Sequence, residues 1–461
     1  MTQEAKSEKR YRELTQGKLY PLLVKMAVPS MIGMMVSTVY SMTDTYFVGR
    51  LNDVDATAAV GIVYTFISLV QAVGFWFGYG AGNYISRMLG RRETEKAEIM
   101  AAKGVTLALI AAAVILLPGL IFVSPLAALL GGDVSPGTLQ ATVKYLRITI
   151  LTVPFMLVSN VLYNELRLAA SSKFSMMGLL AGMAVNMILD PAFILGLHMG
   201  IEGAAWASMA GQVTGVLLLW RSTQRNGNVP VRLSKGKPDR FHTLEILKGG
   251  APNFSRQGIS SLSSVLLNKA AGVFGAAVIA AVTVAVRIAY ICYALVIGFG
   301  QGFQPVCAMN YGAGQTARVR KAFRLTLMTV TGFLLVSAGA VFLFADPLVT
   351  RFTTDPEAAA IASRLLKAML TVMPVMGYYI IIGMLLQNIG RFGAATLVTI
   401  SENGLFLIPA ILAMPGLWGL DGLVWCKPAA SLLALMLSII VGTRAWRKYL
   451  GPETEKRQEH E

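Results

Sequence analysis

Residues 186–208 read NMILDPAFILGLHMGIEGAAWAS: an apolar run carrying Asp190 and Pro191, a short turn with no lysine or arginine, and a second run opening on GIEGAAW. Apolar runs on both sides of so short a turn describe two helices crossing a bilayer, at about 20 residues per crossing. The carboxylate inside the first run is then the feature to explain. An acid at that depth costs several kcal/mol unless it faces a polar bundle interior.

The whole chain has the composition this reading needs. Of 461 residues, 55% are hydrophobic and 14% charged, and the mean hydropathy is +0.61, well outside the range of soluble domains. Apolar stretches long enough to span recur about twelve times, over 19–49, 57–86, 99–126, 140–166, 174–197, 201–222, 244–270, 278–310, 322–345, 358–387, 393–413 and 417–443. The first 18 residues are polar and of mixed charge, without the short apolar core and small-residue cleavage site of a signal peptide.

The net charge of +16 is distributed by loop. Lysines and arginines crowd the segment before span one and the loops after spans two, four, six, eight and twelve. The loops GGDVSPGT, GLHMGIEG and MPGLWGLDG carry none. The positive-inside rule therefore puts both termini in the cytoplasm and the chain in the cytoplasmic (inner or plasma) membrane, surrounded by lipid. No basic stripe is interleaved with exposed aromatics, so nucleic acid is not an expected partner, and no obligate protein partner is evident. Cys292, Cys307 and Cys426 lack metal-ligand spacing. With no phosphate-binding glycine loop and no nucleophile–base constellation, neither an enzyme, nor a cofactor, nor ATP-driven pumping is expected.

The chain repeats itself at an offset of about 220. GIEGAAW (200–206) answers GLDGLVW (419–425), and DPAFI (190–194) answers IPAIL (408–412). TAAV (57–60) answers IAAV (279–282), LTVPFM (151–156) answers LTVMPVM (370–376), and Gly78, Gly80 and Gly90 fall on Gly300, Gly302 and Gly312. Two six-helix halves follow: an amino-terminal lobe over 1–222, with residues 1–18 as a short cytoplasmic segment, a polar cytoplasmic linker over 223–243, and a carboxy-terminal lobe over 244–461. Six is even, so both halves enter the membrane from the same side, and two similar bundles around a cleft suit alternating access.

Few acids lie within the spans. At 1.5 Å per residue Asp44 sits about 28 Å beyond Lys25, and Asp190 about 24 Å beyond Phe174, so the two can share a depth. Ser208 lies seven residues inside span six and reaches the same level. A spacing of four places Asn186 with Asp190, and Tyr40 with Asp44, on common helix faces. Two carboxylates, an amide, a hydroxyl and carbonyls freed near Pro191 suit a hard monovalent cation or a shared proton. Sodium at Asp44, Asn186, Asp190 and Ser208 and a proton on the acids are both open. Asn160, Tyr163 and Asn164 are candidates for a substrate cavity or for bonding between helices. In the second half Leu266 and Ile408 replace Asp44 and Asp190, while Pro409 retains the proline.

Over essentially its whole length the chain resembles the multidrug and toxic compound extrusion (MATE) family. The resemblance is carried by DTYFVGRL in span one, NELRLAASSKF after span four, NMILDPAFILGLHMGIEGAAWAS, and MNYGAGQ after span eight. It implies an all-α integral membrane protein with twelve transmembrane helices in two pseudo-symmetric six-helix bundles, V-shaped, exporting small amphipathic, often cationic compounds in exchange for H⁺ or Na⁺. It places coupling residues on Asp44, Asn186, Asp190 and Ser208, with Tyr40 and Tyr145 nearby. A branch with a key acid in the first helix of the second lobe is not matched, because PNFSRQGISSLSSVLLNKAAG carries Arg256 and no acid there. A flippase for a lipid-linked saccharide or peptidoglycan precursor, and a passive channel or non-transporting scaffold, are the alternative readings.

Overall fold

The structure is a computed structural model. It describes residues 3–50, 53–225, 227–353 and 355–451, with side chains throughout these except at 3–4, 38–46 and 48–49. Every regular element among them is helical. The helices are α1 (Gln3–Gln16), α2 (Leu19–Gly49), α3 (Val54–Gly90), α4 (Thr94–Ile121), α5 (Val123–Leu129), α6 (Pro136–Leu168), α7 (Ser172–Pro191) and α8 (Gly200–Thr223). They continue as α9 (Arg240–Gly272), α10 (Ala276–Gly312), α11 (Thr316–Leu343), α12 (Ala345–Val349), α13 (Pro356–Asn388), α14 (Phe392–Ile400) and α15 (Leu407–Tyr449).

Nine stretches are long and apolar enough to cross a membrane on length and composition alone, the last being Phe392–Tyr449 with 58 residues. Gly419 turns that stretch at φ 58° and ψ −137°, a backbone that side chains disfavour, and so divides it into two crossings. With α8, rich in Gly, Ala and Ser, and α9, polar at its start, the crossings number twelve among the described residues. Two expected spans stop early. Phe122 and Phe344 leave the helical region, so α4 ends at Ile121 and α11 at Leu343, and the short α5 and α12 complete what hydropathy merges.

The repeat is legible in the element lengths. Helices α3 and α10 both have 37 residues, α4 and α11 have 28, and α6 and α13 have 33. Both α6 and α13 start on a proline behind a capping side chain. Ser135 Oγ accepts from Thr138 N (3.0 Å), and Asp355 Oδ1 from Glu357 N (3.0 Å), which satisfies a donor that each first turn leaves open.

The chain divides into two compact units, Met1–Glu13 with Ile32–Gly250, and Leu14–Met31 with Ala251–Glu461. The reason lies in close helix contacts. Within the second unit, a Cβ on Gly298 would meet Met31 and one on Gly302 would meet Ala27, so the first turns of α2 lie directly on α10. Arg318 donates to the carbonyls of Leu14 (3.3 Å) and Gly17 (2.8 Å).

Within the first unit, the start of α9 lies on α3 in the same manner. A Cβ on Gly80 would meet the carbonyl of Ile246, and Trp76 Nε1 donates to Leu247 O (2.7 Å). The stretch before α9 and the first residues of α9 itself are tied down by charge: Lys235 Nζ lies 3.2 Å from Glu98, Lys103 pairs with Asp239, and, within α9, Glu245 lies 2.6 Å from Arg87. The polar amino-terminal segment is also ordered, as α1. Arg10 donates to Ser171 Oγ (2.8 Å) and Asn228 Oδ1 (2.9 Å), and the Arg12 guanidinium hydrogen-bonded to Glu8 holds that carboxyl below its usual range.

Candidate functional site

Helices α7 and α8 meet through glycines. GLLAG (178–182) and GQVTG (211–215) each repeat glycine at a spacing of four, the small-residue pattern that lets membrane helices approach to backbone contact. A Cβ on Gly182 would stand 2.8 Å from Gly211 O, and one on Gly211 2.6 Å from Gly182 O and 3.0 Å from Asn186 Cβ. One turn further along α7 comes Asn186, and one turn back along α8 comes Ser208. The close contact brings Asn186 Nδ2 to 3.1 Å from Ser208 Oγ and 3.5 Å from Asp190 Oδ1.

Asn186 is 2% exposed and Asp190 0%. Beside Asp190 the helix ladder changes. Pro191 has no N–H to donate to the carbonyl four residues back, and the chain slips into a π turn over Ala192–Gly196, closed by Leu197 N on Ala192 O (2.9 Å). A fully buried carboxylate next to an irregular turn, an amide and a hydroxyl is a polar island in an apolar span. Its Asn186 Oδ1 accepts no hydrogen bond among the described residues. Such oxygens can hold a proton or a dehydrated monovalent cation.

Asp44 and Tyr40 lie outside the residues whose side chains are described. Tyr145, 3% exposed, is buried in the core of the first unit on α6, where its carbonyl accepts from Thr149 Oγ1 (2.9 Å). Asn160, Tyr163 and Asn164 also lie on α6. Asn160 Nδ2 donates to Met156 O (2.9 Å) and Asn164 Nδ2 to Asn160 O (2.8 Å), and their side chains fill the space left by Gly74 and Gly78 of α3. Arg167 Nη2 donates to Asn164 Oδ1 (3.0 Å). A separate cavity of about 530 Å³ opens at the starts of α6 and α8, with Lys144, Arg147, Glu202 and Trp206 in its wall.

The sequence model described as MatE matches residues 29–192 and, a second time, 254–412. The chain belongs to the MatE family. It is 28% identical over 428 residues to the multidrug export protein MepA of Staphylococcus aureus (strain MSSA476), covering 92% of this chain and 94% of that one. To MepA of Staphylococcus haemolyticus (strain JCSC1435) it is 26% identical over 427 residues, with the same coverage.

Among solved structures, a MATE protein in the bent conformation superposes with a TM-score of 0.89 at 23% identity, over 96% of this chain and 99% of that one. A transporter of the MOP superfamily from Pyrococcus furiosus, described as having a binding pocket of reversed polarity, gives 0.85 at 22% over 95% and 97%. At these identities the likeness is one of fold. The MatE chain is thus an all-α, multi-pass membrane transporter of two six-helix halves.

The second half of this MatE chain carries a further buried polar cluster. Helix α14 gives way to a π turn over Ser401–Phe406 just before Pro409. Glu402, 4% exposed, lies in that turn. Its Oε1 is 2.9 Å from Lys427 Nζ and accepts from Ser431 Oγ at 2.9 Å. Lys427 Nζ also donates to Asn403 Oδ1 at 2.8 Å, and the carbonyl of Asn403 accepts from Ser263 Oγ of α9 at 2.6 Å. Glu402 and Asn403 are polar groups inside the apolar span 393–413, whereas Lys427 follows the second Gly-x-x-Gly-x-x-Trp. Its signal in the sequence is the repeat: extending GIEGAAW and GLDGLVW by two residues sets Lys427 against Ser208.

Proposed function

We propose that the chain is a secondary antiporter of the cytoplasmic membrane, with both termini in the cytoplasm, which exports small amphipathic, often cationic compounds in exchange for protons or sodium. The observation that carries this reading is the complete burial of Asp190 beside Asn186, Ser208 and a broken helix. A carboxylate removed from water at that depth is stabilised by binding a positive charge, so its occupancy and the state of the helices around it are linked. In this reading Asp44, with Tyr40 and Tyr145 near it, completes the site. Export of drugs by relatives named multidrug export proteins supports the substrate class.

Alternating access requires no more than that the two occupants favour opposite-facing states, since a ligand shifts an equilibrium only by its differential affinity. The test is efflux of a fluorescent lipophilic cation from proteoliposomes, with proton and sodium gradients imposed separately. One of the two gradients should drive efflux in the native chain, and Asp190→Asn should reduce the driven rate at least about tenfold, the loss expected when about 1.4 kcal/mol of coupling is removed. Gradient-driven efflux that persists unchanged in Asp190→Asn and in Asp44→Asn sinks the assignment.

A further inference from the structure

Ser208 and Lys427 each stand eight residues after a glycine with positive φ, Gly200 at 60° and Gly419 at 58°, in helices that open with the same Gly-x-x-Gly-x-x-Trp. Each faces the helix that breaks into a π turn. In the first unit that partner helix presents Asn186 and Asp190 to Ser208, and in the second it presents Glu402 and Asn403 to Lys427. Serine is a neutral donor and brings no countercharge. Lysine brings a full positive charge on a covalent stem.

The oxygens around Lys427 are arranged as cation ligands are: a carboxylate oxygen at 2.9 Å and an amide oxygen at 2.8 Å, with Ser431 Oγ on the same carboxylate. The Glu402 side chain is 6% exposed and that of Lys427 22%. An ammonium so held satisfies the buried carboxylate at all times, because its stem cannot diffuse away.

We propose that Lys427 is a tethered cation that permanently fills the second unit's counterpart of the Asn186–Asp190–Ser208 cluster. It confines exchange of a proton or a monovalent cation to the first unit. This rests on the reading of Asp190 as the exchanging group. It also implies that the second unit holds a latent cation site, formed by Glu402, Asn403 and Ser431, that opens when the ammonium is removed.

The test is the thermal unfolding midpoint of the purified full chain, read against sodium chloride balanced with choline chloride and, separately, against pH between 5 and 8. A ligand that binds only the folded state raises the midpoint in a saturable way. In an Asp190→Asn background, Lys427→Ser should introduce an upward shift of about 2 °C or more with sodium, or with falling pH if the proton is the occupant. Adding Glu402→Gln should abolish that shift. A monodisperse Asp190→Asn/Lys427→Ser chain whose midpoint follows both titrations as Asp190→Asn alone does would overturn the proposal.

Should that pair of substitutions not yield folded protein, Lys427→Met in the otherwise native chain keeps the stem without the charge. It must then show a sodium or pH response beyond the native one, and the absence of any added response overturns the proposal equally. If the native chain and Asp190→Asn respond identically, the first-unit reading fails. The comparison made within the Asp190→Asn background still decides the role of Lys427.

Discussion

The α7–α8 and the α14–α15 hairpins are two versions of one design, and they differ in what they bury. Each breaks into a π turn near a repeated proline, after Pro191 in the first and before Pro409 in the second, and both resume after a positive-φ glycine. In the first, Gly182 and Gly211 bring backbones into contact, and the polar groups gathered there are an acid, an amide and a hydroxyl. In the second, Ala430 and Ala434 take the places of Gly211 and Gly215, Ile408 that of Asp190, and Leu407, Ile411, Cys426 and Ala430 form an apolar cluster. Its acid, Glu402, lies at the start of the π turn, six residues before Ile408, and carries its own lysine. Duplication keeps the proline and the positive-φ glycine, while the place of the helix break and the charges diverge.

The comparison is most exposed at Lys427. If its ammonium neutralises Glu402, Lys427→Met leaves a buried carboxylate without its partner, and at neutral pH and low sodium stability should fall by about 3 kcal/mol. Glu402→Gln/Lys427→Met should recover most of that loss, because a neutral pair of similar shape removes the uncompensated charge. Chemical unfolding of the two variants and the native chain supplies the numbers. Equal stability of Lys427→Met and the native chain would break the distinction between the hairpins. Ser208→Ala, by contrast, removes one hydrogen bond and should cost about 1 kcal/mol or less.

The glycine contact comes next in size. Gly211→Ala places a methyl 2.6 Å from Gly182 O, and both helices must part to accept it. Overpacking of this kind costs about 2 kcal/mol, and it also draws Ser208 away from Asn186, so gradient-driven efflux should fall with the midpoint. The control lies in the second hairpin. Ala430→Gly removes a buried methyl and some helix propensity, for about 1 kcal/mol, and leaves efflux unchanged per folded molecule. Loss of efflux in both variants would remove the special standing given to the first hairpin.

What could be read in advance divides along a physical line. Spans follow from twenty-residue averages of hydropathy, and the repeat from matched positions such as Gly80 with Gly302, so both are visible in one dimension. The face shared by Asn186 and Asp190 follows from helical spacing alone. Three things were not visible. The docking of the first turns of α2 on α10, and of α9 on α3, depends on which glycines leave room for Met31, Ala27 and Ile246. The order of α1 depends on Arg10 finding Ser171 and Asn228, some 160 and 218 residues away. Lys427 is hidden because a repeat is matched on what the halves share, whereas its meaning lies in a position where they differ.

The smallest predicted effect uses the same logic on the backbone. After α6 the chain turns through Ala170 at φ 58°, and after α13 it turns at the matching place through Gly390 at φ 79°. The left-handed region costs an L-residue about 1–2 kcal/mol, because Cβ crowds the following carbonyl, and costs glycine nothing. Against this, glycine in place of alanine adds about 0.5–1 kcal/mol of chain entropy to be lost on folding. Ala170→Gly should therefore stabilise the chain by about 0.5 kcal/mol, most simply seen as a small rise in the unfolding midpoint. Gly390→Ala, which introduces the clash and has only the entropy term in its favour, should lower stability by a similar amount. Opposite signs at the two sites would show that the halves are held to one turn geometry even where their residues have parted. A fall in both variants would mean that the alanine methyl, on a residue only 7% exposed, contributes packing that outweighs the strain of its backbone.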